Sequence, residues 1–347
     1  MKVMRCVVTS GEMLVDMIPV NGRFKNSKYH YAAHPGGAPA NVAIGLARLK
    51  CKARFIGKLS SDSFGRMLLR TLRDNRVDTH FLPRLSERYT AIALVSLDEE
   101  GNREFSFYQE GAANWDLNEQ EVTADMLDGA SVCHIGLVSL AREPSRTSTL
   151  KLIELARAHR KLVSCDLNVR LQLWDSGEEM REYIRILLER SDIFKCSEEE
   201  LGHIDIPAAM PAFSGVTSRK MKTAGIVKLS RKILESGPGL VIVTMGSDGA
   251  VLTTGSGQAV VPAMKIRAVD TTGAGDAFTS GILCRIMEEG RVTRKSISSL
   301  QDSELMNFGI FANAVAGISC KRYGGIESMP YLEEIRTAVK RNRGNCF

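Results

Sequence analysis

Apolar residues fall along this chain in two alternating patterns. Short continuous runs occur at Val3–Ser10, Val132–Ile135, Leu162–Asp166, Ile193–Lys195 and Leu240–Met245. Runs of this kind, rich in Val and Ile, predict strands buried on both faces of a parallel sheet. Between them the apolar positions follow helical spacing. Asn41–Leu49 places Val42, Ile44, Leu46 and Leu49 at mixed helical intervals, with Pro39 near its start, where proline is tolerated. Phe64–Arg73 is amphipathic through Met67, Leu68 and Leu72, and Thr149–Ala158 and Met180–Leu188 read the same way. Helices are predicted again over 274–288, 304–320 and 331–341. The alternation predicts an open α/β/α sandwich with a mostly parallel sheet.

Two stretches break the alternation. Residues 20–35 and 89–112 carry short β-rich runs, the second with a turn at 99–102. They predict antiparallel strands inserted into a single domain spanning 1–347, forming a small lid. Exposed lid strands tend to pair, which predicts a homodimer through them. Residues 205–223 form the longest irregular stretch and read as a mobile insertion rather than a domain boundary.

Composition narrows the class. At 347 residues, with 44% hydrophobic and 25% charged residues, the chain has the make-up of a globular protein with a large core. No apolar run reaches transmembrane length and Met1–Ser10 lacks the apolar centre of a signal peptide, so a cytoplasmic protein is expected. Eight scattered cysteines without a C-x-x-C pair argue against a disulfide framework or a zinc site. The net charge of +6 is spread out, apart from Lys340-Arg341-Asn342-Arg343, which reads as a solvated helix end. Neither nucleic acid nor membrane is an expected partner.

The chemistry concentrates at Asp270-Thr271-Thr272-Gly273-Ala274-Gly275-Asp276, which runs directly into Ala277, Phe278, Ile282, Leu283 and Ile286. A small-residue turn feeding a helix presents unpaired N–H groups and the positive end of the helix dipole, so it suits an anion. Gly273, Ala274 and Gly275 let a phosphate approach the backbone. Asp276 beside them is a poor phosphate ligand but a good proton acceptor. The pattern predicts phosphoryl transfer, with the amides holding the migrating group and Asp276 taking a hydroxyl proton. An ordinary Gly-rich turn would look similar on its own. Further polar groups follow the predicted strands: Glu12 and Asp16, Gly36–Asn41, Asp166–Arg170, Ser197–Glu200 and Thr244–Gly249. Carboxyl ends of strands are where open α/β sheets bind ligands.

In this order and spacing, the chain from about residue 5 to residue 337 resembles the ribokinase-like PfkB carbohydrate kinases, the fructokinases in particular. Gly36-Gly37-Ala38-Pro39-Ala40-Asn41-Val42-Ala43, the Gly57–Gly65 stretch and Asp270–Phe278 carry the resemblance. It implies a ribokinase-like three-layer α/β/α sandwich with a β-strand lid. It also implies transfer of the γ-phosphoryl group of ATP, with Mg2+, to a sugar hydroxyl, first among them O6 of fructose. Other acceptors in the family are 2-keto-3-deoxygluconate, ribose and nucleosides, and a non-catalytic fructokinase-like scaffold is the alternative of a different class.

The resemblance also implies roles. Asp16, Gly36, Gly37, Asn41 and, on the lid strand, Phe107 match sugar-binding positions, and Asn168 and Arg170 match an element that contacts sugar or phosphate. Asp276 matches the base, and Gly273, Ala274 and Gly275 the anion hole. Ser197, Gly246 and Gly249 match nucleotide positions, with Asn313 on the helix bordering adenine. Glu200 matches an acid acting on Mg2+ through water. Asp270, Thr272, Ser319, Arg322, Gly324 and Ser328 match a loop that binds K+ in many members. Simpler readings stand beside three of these: Asn313 as a packing amide, Glu200 as a solvated helix start and Asp16 as a turn residue. The lid strand ends in Gln109 where the family usually has Arg, and Asn114 stands where Asp is common. Losing that charge and planar fork favours a neutral hexose over an anionic acceptor. No strand is followed by Gly-x-Gly-x-x-Gly, which argues against an NAD-dependent enzyme.

Overall fold

The computed structural model describes residues 5–20, 30–82, 85–97, 103–205 and 221–343. In chain order its elements are β1 (Cys6–Ser10), β2 (Leu14–Pro19), β3 (Tyr31–Gly36), α1 (Ala38–Arg48), β4 (Ala53–Ile56), α2 (Ser63–Asp74), β5 (Ile92–Leu97) and β6 (Arg103–Tyr108). There follow β7 (Ala130–Gly136), α3 (Ser145–Ala158), β8 (Leu162–Asp166), α4 (Gly177–Arg190), β9 (Ile193–Ser197), α5 (Thr223–Glu235), β10 (Leu240–Thr244), β11 (Ala250–Thr254) and β12 (Gln258–Val261). The chain closes with α6 (Ala274–Glu288), α7 (Arg294–Ser298), α8 (Asp302–Ser319) and α9 (Leu332–Arg343).

The apolar runs do form one sheet, ordered β12-β11-β10-β9-β8-β7-β1-β4. It is parallel from β4 to β10 and antiparallel at β10–β11 and β11–β12. Neighbouring residues on each strand point to opposite faces, yet both faces are covered. Val7, Ile193 and Ile242 pack with α1, α6 and α8, while Val8, Phe194, Val241 and Val243 pack on the side of α3, α4 and α5. This double burial is why the strands read as continuous hydrophobic runs. Chain order reverses about β1, whose neighbours are β4 and β7. Such a reversal opens a crevice at the carboxyl ends of the strands.

A second sheet, ordered β3-β2-β5-β6, stands over that crevice. Its β5 and β6 lie where a lid hairpin is expected, and their connecting turn falls in residues 98–102, outside the described residues. The first expected lid segment needs correction. The sheet takes in Leu14–Pro19 as β2, which is antiparallel to β3 but parallel to β5. Residues 21–29 and 206–220, which hold much of that segment and most of the expected insertion, lie outside the described residues.

Candidate active site

The carboxyl ends of β1, β8, β9 and β10 open into a cleft of about 1180 Å³, roofed by the second sheet. On its floor is the start of α6. Gly273 caps that helix with φ 74°, a left-handed conformation that glycine adopts freely. The N–H of Ala274 donates to Thr271 O at 3.1 Å and closes the turn. Gly275 and Asp276 follow as first-turn amides without a helical partner.

Asp276 stands at that helix start, and Asn41 Nδ2 on α1 donates to its Oδ2 at 2.7 Å. Burial raises the Asp276 carboxyl to about 7, against the pull of the Asn41 hydrogen bond. Glu12, just past β1, is likewise raised to about 7 by burial. Its Oε1 accepts from Ala38 N at 3.2 Å, which fixes the Gly36–Gly37–Ala38 turn into α1. Two carboxyls that titrate near neutrality in one cleft are suited to holding and moving protons.

Glu200 is not a solvated helix start. Its Oε2 accepts from Ser197 N at 2.7 Å and its Oε1 from Val169 N at 2.6 Å. It thereby ties the end of β9 to the segment after β8, where Asn168 turns the chain at φ 44°. Asn is among the residues that tolerate this region. Arg170 borders the same cleft, with Nη1 donating to Val169 O at 2.8 Å. Both Glu200 oxygens are engaged by amides, so the donor set suits a hydrated Mg2+ better than a bare ion. Among the described residues no group of three or more His, Cys, Asp or Glu converges as a metal cage. A cation carried in on a polyphosphate fits such a site.

Asp16 lies within β2, not in a turn, and one cross-strand row runs His34, Asp16, Ala93, Phe107. Asp16 and Phe107 therefore share a face, and both line the cleft. Beyond Phe107, Gln109 is buried and accepts from Asn114 Nδ2 at 3.0 Å. The two family departures thus meet in one neutral amide pair. His34 Nδ1 lies 3.1 Å from Glu327 Oε1, which connects β3 to the 322–328 loop.

Of the other candidates, Gly37, Ser197, Gly246 and Thr272 border the cleft. Gly36 does not, but a Cβ there would stand 2.1 Å from Asp16 Oδ2, so it makes room for that carboxylate. Gly249 also lies off the cleft, and its constraint is local: at φ 101° a Cβ would lie 2.0 Å from Val261 O. Asn313 is a packing amide, because its Nδ2 donates to Val261 O and Pro262 O and pins α8 to the end of β12. Asp270 gathers part of the expected cation loop, accepting from Thr272 N at 2.8 Å and Gly324 N at 2.9 Å. The Ser319 and Ser328 hydroxyls donate to Ala316 O and Gly325 O, and Arg322 pairs with Glu334. Asp270 and the two hydroxyls thus make contacts near by, and Arg322 ties the loop to α9.

Two cleft residues carry no role expected from the sequence. Lys195 and Asp166 form a buried ion pair of 2.6 Å beneath the α6 turn. A lysine inside the apolar run Ile193-Phe194-Lys195-Cys196 is the available signal, since a charge there breaks the pattern of a buried strand.

Comparison with known proteins agrees with this geometry. The profile of the pfkB family carbohydrate kinases matches residues 4–332. Fructokinase-1 of Zea mays is 38% identical over 337 residues, covering 96% of this chain and 98% of the relative. A fructokinase from Xylella fastidiosa, solved with bound ATP, superposes with a TM-score of 0.85 at 26% identity over 98% of this chain and 99% of that one. A fructokinase from Vibrio cholerae, solved with fructose, ADP and calcium ion, gives 0.79 at 29% identity over 97% and 99%. The chain belongs to the pfkB family of carbohydrate kinases.

Proposed function

We propose that this protein is an ATP-dependent fructokinase that transfers the γ-phosphoryl group of ATP to O6 of fructose. The observation that carries the reading is the Asp276 carboxylate, held by Asn41 at the N-terminus of α6 inside a roofed cleft. The fructokinase activity named for the relatives in maize, Xylella and Vibrio supports the acceptor.

In this mechanism Asp16, Gly37, Asn41, Phe107, Asn168 and Arg170 face the sugar, and Gly246 and Ser197 border the nucleotide. The sugar hydroxyl stands between Asp276 and the phosphate. Asp276 takes its proton as the new P–O bond forms and the bond to the bridging oxygen of ATP breaks. Gly275 and Asp276 N–H groups, with the helix dipole behind them, receive charge on the moving group. Mg2+ carried by ATP would neutralise the β- and γ-phosphates, with Glu200 placed to hold one of its waters. The second sheet acts as a lid that excludes water. A neutral Gln109–Asn114 pair at its end suits an uncharged sugar. The loop of Asp270, Thr272, Ser319, Arg322, Gly324 and Ser328 is the proposed K+ site, acting through its carbonyls.

Two further parts belong to the reading. Two copies pair through the outer strand β6, where Tyr108 is 59% exposed, and a solution mass of one chain would contradict this. The compartment is the cytoplasm, a reducing place consistent with free thiols at Cys6, Cys133 and Cys196. No described helix is long and apolar enough to cross a membrane.

The test is Asp276→Asn. Loss of turnover with ATP and fructose binding retained by calorimetry supports the mechanism, and near-normal turnover contradicts it.

A further inference from the structure

One charged side chain lies deeper in the cleft than any the proposed reaction uses. Lys195 sits on β9 between the buried Phe194 and Cys196, and is itself only 5% exposed. Its Nζ donates to Asp166 Oδ2 at 2.6 Å, and the same oxygen accepts from Thr279 Oγ1 of α6 at 3.0 Å. A methyl group placed on Gly275 would lie 3.4 Å from that Nζ, so the ammonium stands against the first turn of α6. It also feels the negative charges of Glu200 and Asp276. Lys195 therefore lies amid the anion turn, the base and the acid on the Mg2+ side.

Burying an ammonium costs several kcal/mol, and one carboxylate partner offsets that only with good geometry. A pair kept only to tie strands together could sit anywhere in the core, but this one opens on the cleft. The balance of charge around it says what it could be for. The described residues lining the cleft include seven carboxylates: Glu12, Asp16, Asp166, Glu198, Glu199, Glu200 and Asp276. Against these stand two permanent cations, Lys195 and Arg170. A nucleoside triphosphate entering such a cleft needs fixed positive charge where its terminal phosphate arrives. Arg170 is half-buried on a loop, whereas Lys195 is buried at the anion turn.

We infer that Lys195 is a further catalytic residue, its ammonium binding an oxygen of the phosphoryl group in flight while Asp166 holds it in position. An ammonium has three N–H donors, and the Asp166 oxygen takes one. Lys195 stays protonated throughout. The P–O bond to the bridging oxygen breaks, the bond to the sugar oxygen forms, and the sugar proton goes to Asp276. This rests on the kinase reading above.

The experiment compares wild-type protein, Lys195→Met and Lys195→Arg with ATP, Mg2+ and fructose across pH. Lys195→Met should lower kcat about a hundredfold or more, with both KM values within about threefold. Lys195→Arg should recover part of the loss. Removing a positive charge beside Asp276 should also move the acid limb of kcat/KM to higher pH in Lys195→Met, but the fall in kcat with both KM values kept is the result a merely structural role would not give. A kcat within about threefold of wild type overturns the inference, wherever the acid limb lies. Where the Met variant does not fold, the wild-type complex with ADP, Mg2+, aluminium fluoride and fructose decides. Nζ within about 3.2 Å of a fluoride supports the role, and Nζ turned to Asp166 alone overturns it. No phosphorylation of any sugar by the wild type overturns the kinase reading and this one together, whereas wild-type turnover that survives Lys195→Met overturns this one alone.

Discussion

Asn41 Nδ2 and Asp276 Oδ2 meet at 2.7 Å and join the first turns of α1 and α6, two helices separated by more than half the chain. One donates to the charged form of the other, so the bond holds the carboxyl below where burial alone would put it. Asn41→Ala should therefore raise the Asp276 pKa further. A hydrogen bond to a charged group is worth about 1.5–3 kcal/mol, which is about one pH unit or more. The acid limb of kcat/KM should move up by roughly that amount, as measured in a pH–rate profile. An unmoved limb would mean that Asn41 does not tune the base.

The same carboxyl makes a stability prediction. Asp276 rises from 3.8 to about 7 on folding. The folded state thus keeps a proton that the unfolded state loses, and stability falls as pH rises from about 4 to about 7. Above that window the penalty is complete, at about 1.4 kcal/mol for each pH unit separating the folded and unfolded pKa values. Asp276→Asn should raise Tm at pH 8 and change it little at pH 4, while turnover falls by about 10²–10⁴-fold. Thermal melts at both pH values check the sign, and a Tm unchanged at pH 8 would contradict the burial of the charge.

Gly36 and Gly246 should respond differently to alanine. At Gly36 the new Cβ would strike Asp16 Oδ2 at 2.1 Å, so that carboxylate must move. Gly36→Ala should raise KM for the sugar at least about tenfold and leave KM for ATP alone. At Gly246, φ is 55° and no protein atom lies within 4 Å of the Cβ position, so Gly246→Ala should cost about 1 kcal/mol of backbone strain and leave KM for the sugar unchanged. Steady-state kinetics with each substrate varied separates the two.

The Gln109–Asn114 amide pair predicts a coupled substitution. Gln109→Arg alone places an unpaired guanidinium in a buried neutral site and should lower stability by several kcal/mol. Adding Asn114→Asp should restore much of it through an ion pair, with a coupling energy of about 1 kcal/mol or more in a double-mutant cycle. The double variant should also raise turnover of 2-keto-3-deoxygluconate relative to fructose. Additive stability effects would show that the two side chains do not act as a pair.

Parts of this site are legible in the sequence for different reasons. The 270–276 turn can be read because it lies in order with Gly36–Asn41 and with the polar groups at the other strand ends, whereas alone it would pass for an ordinary Gly-rich turn. The buried strands can be read because both of their faces are covered. Leu14–Pro19 does not announce itself as a lid strand, because only Asp16 interrupts its apolar run and its faces are half-buried rather than cleanly alternating. Asn313 is ambiguous because a buried amide that binds adenine and one that pins carbonyls leave the same trace. Ala274 and Gly249 are ambiguous because a small residue can make space for a ligand or for its own backbone. The Lys195–Asp166 pair depends on a contact across 29 residues that no local pattern encodes.

The most direct test of the fructokinase mechanism is ADP release by the purified protein with ATP, Mg2+ and, in parallel, fructose, 2-keto-3-deoxygluconate, ribose, glucose and adenosine. Strong turnover with fructose and little with the rest is the predicted result. Turnover with another acceptor in place of fructose would contradict the assigned substrate, and no turnover with any of them would contradict the kinase mechanism itself.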